Sequence, residues 1–344
     1  MNTKKTLNMA LIGAGRIGSF HAETMARRLH NARLVAIADP APGAARRLAD
    51  SLDCDVSYTD PADVFADPNV DAVLIATPAR FHTPLAVSAA NAGKHVFCEK
   101  PMALTIAEAE AVIDAAARNG VQLQVGFNRR WDRAFSEGRA AIDAGRIGTP
   151  QLLRSLTRDP GPFNADPYRI PNWTIFYETL IHDFDTLLWL NAGAKPVEVY
   201  AVADALVRPD ARDSGHLDTA VVTIRFDNGA IAVAEANFCA MYGYDIRGEA
   251  FGSGGMVTMG DVKKSSLRLL DRDGESADTW RMDTQHFVEA YTLQIQHFVD
   301  AVLGNAEFAG PSGRDARSAL AIALACIESV KSRKPVRIGD IAGL

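Results

Sequence analysis

The chain has 344 residues, 48% of them hydrophobic and 23% charged, which is enough apolar material for about two ordinary globular domains. That balance excludes a disordered chain and a small disulfide-stapled scaffold. The net charge is −6 with Lys and Arg scattered, so neither nucleic acid nor a membrane surface is expected as a partner.

The first third alternates strand and helix. Asn8–Ile12 is a short apolar run ending in glycine, which predicts a buried strand, and Ile17–Leu29 has helical apolar spacing. A strand at Arg33–Ala38 stops at Asp39-Pro40, and a helix over Pro42–Leu52 carries proline near its start. Ala72–Ala76 is a strand ended by Thr77-Pro78, Pro84–Ala92 a helix closed by Gly93, and His95–Cys98 a strand. Thr105-Ile-Ala-Glu108 has the capping-box pattern and opens a helix to Asn119, closed by Gly120; Gln122–Gly126 is a sixth strand. Such alternation with short connections predicts a parallel, doubly wound α/β domain over residues 1–126.

Beyond residue 127 the rhythm changes. A helix near Asp132–Ala144 leads to a strand near Gln151–Arg158, a Pro- and Asp-rich loop (Asp159–Asn172) and a helix over Phe176–Asn191. Strands without intervening helices follow at Val197–Val207, Thr219–Phe226, Ile231–Phe238, Asp245–Phe251 and Met256–Met259, with Asp227-Asn228-Gly229 as a hairpin signal. Helices near Gln285–Leu303 and Arg314–Ser332 and a strand at Pro335–Ile338 end the chain. Residues 127–344 therefore read as an α+β domain with a mainly antiparallel open sheet. Its last helix and strand are candidates to pack back on the first domain. Cys54, Cys98, Cys239 and Cys326 match no zinc spacing and read as buried thiols of a reducing compartment. No run reaches the ~18 apolar residues of a membrane span, and the apolar run after Lys4-Lys5 is broken by glycines with no cleavage-like site, so a cytoplasmic location is expected.

Gly13, Gly15 and Gly18 form G-x-G-x-x-G between a strand and a helix. Gly13 permits the turn, Gly15 lets the backbone approach a pyrophosphate, and Gly18 lets helix and strand pack; the helix N-terminus, with Arg16 and Ile17, favours the anion. Asp39 lies 21 residues after Gly18, close to the ~20 of a ribose-binding acid. Its carboxylate accepts from ribose hydroxyls and repels a 2′-phosphate, while Arg46 and Arg47 stand further on, so NAD is expected over NADP. The alternative is a tight turn that binds no phosphate.

With these residues in order, the chain resembles the glucose–fructose oxidoreductase/inositol dehydrogenase (Gfo/Idh/MocA) family. The resemblance rests on Gly13–Gly18, Ala76-Thr-Pro78 with His82, Glu99-Lys-Pro101-Met, Gly126-Phe-Asn-Arg-Arg130 and Ile181-His-Asp-Phe-Asp185. It covers nearly the whole chain. Thr157-Arg-Asp-Pro160, Tyr242-Gly-Tyr-Asp-Ile-Arg247, Glu249 and Phe251-Gly-Ser253 are similar to the inositol 2-dehydrogenase branch. The resemblance implies a Rossmann domain, a six-stranded sheet domain, a small polyol or sugar substrate between them, and a homotetramer built through the sheets. It also implies cofactor contacts from Thr77, Pro78, His82 and Glu99.

Oxidising a secondary alcohol requires hydride loss to nicotinamide and proton loss from the hydroxyl. Histidine, titrating near ~6.5, suits the second task, which makes His182 the candidate base. Lys100 follows a sheet strand, where an ammonium stabilises a developing alkoxide. Glu178 lies four residues before His182, so it orients the imidazole or binds a neighbouring hydroxyl. Taken singly, Lys100 also reads as a strand-end lysine, His182 as a packing histidine and the Glu178–His182 pair as a simple i,i+4 bond. No third ligand accompanies that pair, so no metal is expected. Tyr242 and Tyr244, alternating with Gly243, are expected on one face of a strand, either as sheet-packing aromatics or, as the resemblance implies, in contact with substrate hydroxyls, with Arg129, Asp159 and Asn164 as further pocket candidates. The inositol branch carries Asp at the Glu178 position after a glycine-rich turn, whereas this chain has Asn172-Trp173-Thr-Ile-Phe-Tyr177-Glu178. That departure keeps open an aldose 1-dehydrogenase or an anhydrosugar or glycoside 3-dehydrogenase. A non-catalytic NAD-sensing regulator is the rival from another class.

Overall fold

The computed structural model describes residues 5–161, 171–341 and 343. They form two units: residues 1–131 with 289–317, and residues 132–288 with 318–344.

The first unit is built on strands β1 (Leu7–Ile12), β2 (Ala32–Ala38), β3 (Val56–Tyr58), β4 (Ala72–Ile75), β5 (His95–Cys98) and β6 (Leu123–Val125), separated by helices α1 (Arg16–Arg27), α2 (Ala44–Ser51), α3 (Pro61–Ala66), α4 (His82–Asn91) and α5 (Ile106–Asn119). All pairs are parallel, in the order β3-β2-β1-β4-β5-β6. Residues Met9–Ile12 and Ala72–Ile75 are almost fully buried, as strands covered by helices on both faces must be. The order reverses between β1 and β4, and that switch point is where doubly wound sheets bind ligands. The expected capping box is present: the Glu108 N–H donates to Thr105 Oγ1 at 3.2 Å and the Thr105 N–H to Glu108 Oε2 at 3.0 Å, while Gly120 closes α5 at φ 62°.

A helix from far along the chain, α9, completes this core; it is numbered after α6 (Arg133–Asp143), α7 (Leu180–Leu190) and α8 (Asp283–His286), spans Val288–Val302, and precedes α10 (Gly313–Ser332). Ile295, Phe298 and Val299 of α9 join one apolar cluster with Met9, Leu11 and Phe97, and the Phe97 and Phe298 rings meet edge to face at 5.8 Å. Each such side chain contributes about 2 kcal/mol by leaving water.

The second unit carries β7 (Pro150–Arg158), β8 (Pro196–Asp204), β9 (Thr219–Phe226), β10 (Ile231–Asn237), β11 (Asp245–Gly252) and β12 (Gly255–Met259), a separate hairpin of β13 (Leu269–Asp271) and β14 (Gly274–Ser276), and β15 (Val336–Arg337). Among the described residues the main sheet has seven strands rather than six, in the order β12-β11-β7-β10-β9-β8-β15, because the short last strand joins its edge. Of these strands, among the described residues, only β7 and β10 pair parallel. The β9–β10 hairpin turns at Asp227–Gly229, with Gly229 at φ 87°. Register places Ala232, Ala234 and Ala236 of β10 beside Leu153, Ser155 and Thr157 of β7. These inward residues are buried and form the floor on which α7 packs. The opposite face exposes Leu152, Val202, Val221, Ile231 and Phe251. All four cysteines are free; Cys54, Cys98 and Cys326 are buried, and Cys239 is half-buried rather than buried. Burial pushes the Cys98 thiol well above its usual range, so it stays protonated.

Candidate active site

In the first unit, β2, β1, β4 and β5 lie side by side, and their carboxyl ends bring the motif residues to one edge of the sheet. The Gly13 N–H donates to Ala38 O at 2.8 Å, and Gly13 adopts φ 101°, which only glycine takes freely. A Cβ on Gly18 would stand 1.9 Å from Gly13 O, whereas one on Gly15 would meet nothing within 4 Å. The three glycines thus divide into two that let chain pack on chain and one that leaves space for something else. Gly15 begins α1 with no side-chain cap and no acidic residue in the first turn, so the helix N-terminus offers N–H groups to an anion.

Asp39 follows β2. Its Oδ2 accepts from the Ala14 N–H at 2.7 Å and its Oδ1 from the Ala41 N–H at 2.8 Å. The acid therefore braces the glycine loop while its remaining lone pairs stay available for a ribose diol. Thr77 Oγ1 is buried with no partner at the end of β4. An uncapped helix N-terminus, open space at Gly15 and an orphaned hydroxyl together fit a dinucleotide; Arg16 and Ile17 flank the same N-terminus.

Lys100 is half-buried, two residues past the end of β5. His82 and Glu99 prove to be buried residues that support its loop. Glu99 Oε1 pairs with His21 Nε2 of α1 at 2.7 Å, and Glu99 Oε2 accepts from the Lys100 N–H at 3.2 Å. Burial alone would push the Glu99 carboxyl up, but the His21 hydrogen bond and charge, with Lys100, hold it below the usual carboxylate range. Gly126 leaves room for this carboxylate, since a Cβ there would come within 2.9 Å of it. His82 is 1% exposed. Its Nδ1 faces Pro101 O at 2.8 Å and its Nε2 faces Thr77 O at 2.7 Å, so one imidazole spans the two loops that carry Thr77-Pro78 and Lys100-Pro101. Burial pushes its pKa down, against the pull of both carbonyls. His21 had no signal in the sequence, because nothing local marks a histidine 78 positions from its partner. Arg129 is buried in a short turn, Asn128–Trp131, after β6.

In the second unit, Glu178 and His182 are both half-buried. Glu178 lies in a π-helical turn, Ile175–Thr179, and His182 in the first turn of α7, so the four-residue interval spans a change of helix type. Trp173 sits at φ 64°, a costly conformation for a bulky residue. Its ring tilts against Phe176 at 6.4 Å and lies 5.4 Å from Lys331 Nζ of α10. That aromatic is thus absorbed in packing within its own unit. Asp159 follows β7; its N–H donates to Asn237 O and its carbonyl accepts from the Ala240 N–H, both at 2.9 Å. Asn164 lies outside the described residues.

Tyr242 and Tyr244 do not share a strand face. They precede β11, and Gly243 between them, at φ 145°, breaks the alternation. The Tyr242 hydroxyl donates to Asp245 Oδ2 at 2.7 Å and accepts from Arg158 Nη1 at 3.2 Å, whereas the Tyr244 ring meets His286 and Phe287 edge-on at 6.3 and 6.5 Å.

Comparison with known proteins agrees with this geometry. A family model described as an oxidoreductase family with an NAD-binding Rossmann fold matches residues 7–127, and the GFO/IDH/MocA C-terminal domain matches residues 135–258. The chain is 35% identical over 338 residues to myo-inositol 2-dehydrogenase of Thermotoga maritima, covering 98% of this chain and all of the relative. It is 37% identical over 334 residues to inositol 2-dehydrogenase of Rhizobium meliloti, covering 97% and 99%. A crystal structure of scyllo-inositol dehydrogenase from Lactobacillus casei with bound NAD(H) and scyllo-inositol superposes with a TM-score of 0.93 at 28% identity, covering 98% of this chain and all of that one. Both halves match in order and the relatives align end to end, so the chain belongs to the GFO/IDH/MocA oxidoreductase family, and its first domain is that family's NAD-binding Rossmann domain.

Proposed function

We propose that the protein is an NAD-dependent dehydrogenase that oxidises a secondary hydroxyl of a cyclic polyol, myo-inositol or a related inositol, to a ketone. The observation that supports this reading is the position of Lys100, two residues past β5 at the carboxyl edge of the parallel sheet, on a loop tied by Glu99 and His82. Bound NAD⁺ supplies the hydride acceptor. The uncapped N-terminus of α1 receives the pyrophosphate, and Asp39 accepts from the adenosine ribose. Lys100 donates a hydrogen bond to the substrate hydroxyl oxygen and stabilises the developing alkoxide. His182 takes the hydroxyl proton. Glu178 orients His182 or binds a neighbouring hydroxyl. Arg129 in the first unit, and Asp159, Tyr242 and Tyr244 in the second, are further proposed substrate contacts.

A sugar dehydrogenase is the rival chemistry, raised by the bulky segment before Glu178. The packing of Trp173 on Phe176 and Lys331 favours the inositol reading, since the ring is occupied within the fold. No helix among the described residues is long and apolar enough to cross a membrane, in keeping with a cytoplasmic enzyme. The apolar outward face of the second sheet supports a homotetramer assembled through it. The test is NAD⁺ reduction over myo-, scyllo- and chiro-inositols, glucose, galactose and levoglucosan, repeated with NADP⁺. Turnover on an inositol is expected; turnover confined to a sugar, or none, overturns the assignment.

A further inference from the structure

The carboxylate of Asp183 is fully buried at the junction of α7 and β7. Its Oδ1 accepts from the Ser155 hydroxyl and its Oδ2 from the Thr157 hydroxyl, each at 2.6 Å. The surrounding floor is small and apolar: Ala234 and Gly248 flank Ser155, and Ala236 and Ile246 flank Thr157. A helix on such a floor is held by contacts without direction, and burying a carboxylate there costs several kcal/mol unless it is bonded. An apolar side chain would fill the space without that cost, so the carboxylate contributes direction.

We propose that Asp183 is a positioning residue that fixes the first turn of α7 on β7 and thereby sets where the His182 imidazole stands. The proposal rests on the reading of His182 as the base. Three features of α7 make an external anchor necessary. It follows a π-helical turn, its first turn has no side-chain cap, and His182 is the residue next to Asp183. Ser155 and Thr157 are two residues apart on one strand face, roughly 7 Å along it. Two short charge-assisted bonds at that separation fix both the rotation and the axial shift of the helix. The Thr186 hydroxyl donates to the His182 carbonyl at 2.8 Å and ties the same turn to the next.

The experiment compares Thr157→Val, Ser155→Ala, their double variant and Asp183→Asn with Thr157→Ser, Leu187→Ala and His182→Asn. Steady-state kinetics on the best polyol, NADH binding by fluorescence and thermal unfolding are read for each. Thr157→Val and Ser155→Ala are expected to lower kcat about 10-fold each and about 100-fold together. KM should change less than about threefold, and NADH affinity should hold. Asp183→Asn should also move the acidic limb of the kcat/KM profile, which reports protonation of the base. Thr157→Ser restores the hydroxyl and should restore kcat. Leu187→Ala, a buried apolar position on the same helix, should lower thermal stability and leave kcat. If Leu187→Ala loses kcat in step with stability, or if the hydroxyl deletions keep kcat while His182→Asn abolishes it, the anchor is structural only and the proposal fails. Wild-type turnover in His182→Asn would instead overturn the assignment of the base itself.

Discussion

Glu99 and His21 meet at 2.7 Å inside the first unit, one residue before Lys100. The pair joins the helix that presents its N-terminus to the cofactor with the loop that carries the candidate catalytic ammonium. Replacing Glu99 by Gln should cost about 3 kcal/mol, as breaking a buried ion pair does. The pH dependence has a definite sign. The Glu99 carboxyl is held below its usual range, so its contribution is present above the ordinary carboxylate pKa and is lost as pH falls through the depressed folded value. Thermal unfolding of wild type and Glu99→Gln should therefore differ most at neutral pH and converge under acid; a gap that stays constant down to acid pH would remove the charge from the account.

Lys100→Ala should lower turnover by about 10²- to 10³-fold, the effect of removing a group that stabilises a developing oxyanion. NADH binding, followed by fluorescence, should persist, because the α1 N-terminus and Asp39 do not depend on that side chain. Near-wild-type turnover would exclude Lys100 from the chemistry.

Two glycines one turn apart should respond in opposite ways to alanine. Gly18→Ala places a methyl 1.9 Å from Gly13 O and should destabilise the unit by about 3 kcal/mol or more. Gly15→Ala introduces its methyl into open space at an ordinary φ of −75°. Stability should stay within about 0.5 kcal/mol, while NADH affinity drops about tenfold or more. Calorimetry and NADH titration on the two proteins separate the packing role from the binding role.

Asp39→Ala should weaken NAD binding and narrow the preference against NADP, because it removes both the ribose acceptor and the negative charge facing a 2′-phosphate. Unchanged discrimination between the two cofactors would show that selectivity lies elsewhere.

What the sequence discloses about this molecule is what can be read within a few residues. The strands β1, β4 and β5, the capping box and the Asp227–Gly229 hairpin have local patterns, and they stand where those patterns put them. The glycine loop, Asp39 and Lys100 were legible for the same reason. β3 and α3 escaped because three half-buried residues and a six-residue helix are too short to display a period. The exposed β13–β14 hairpin has no buried face to mark it. The parallel pairing of β7 with β10 depends on a partner more than 70 residues away in sequence. The supports of the site were invisible on similar grounds: Glu99 reaches back to His21, and Asp183 to Ser155 and Thr157, across intervals that no motif spans. Tyr242 and Tyr244 misled because alternation predicts a shared face only where the backbone stays extended, and Gly243 does not keep it so.

The return of α9 to the first sheet bears on how the chain acquires its structure during synthesis. Phe97 and Met9 find part of their packing on Ile295, Phe298 and Val299, residues made long after the last strand of that sheet has left the ribosome. Until then the nascent cofactor domain displays an unsealed apolar surface, of the kind that recruits chaperones or aggregates. A fragment ending at residue 131 should therefore be sticky and poorly cooperative, and supplying α9 as a separate peptide should restore a sharp unfolding transition.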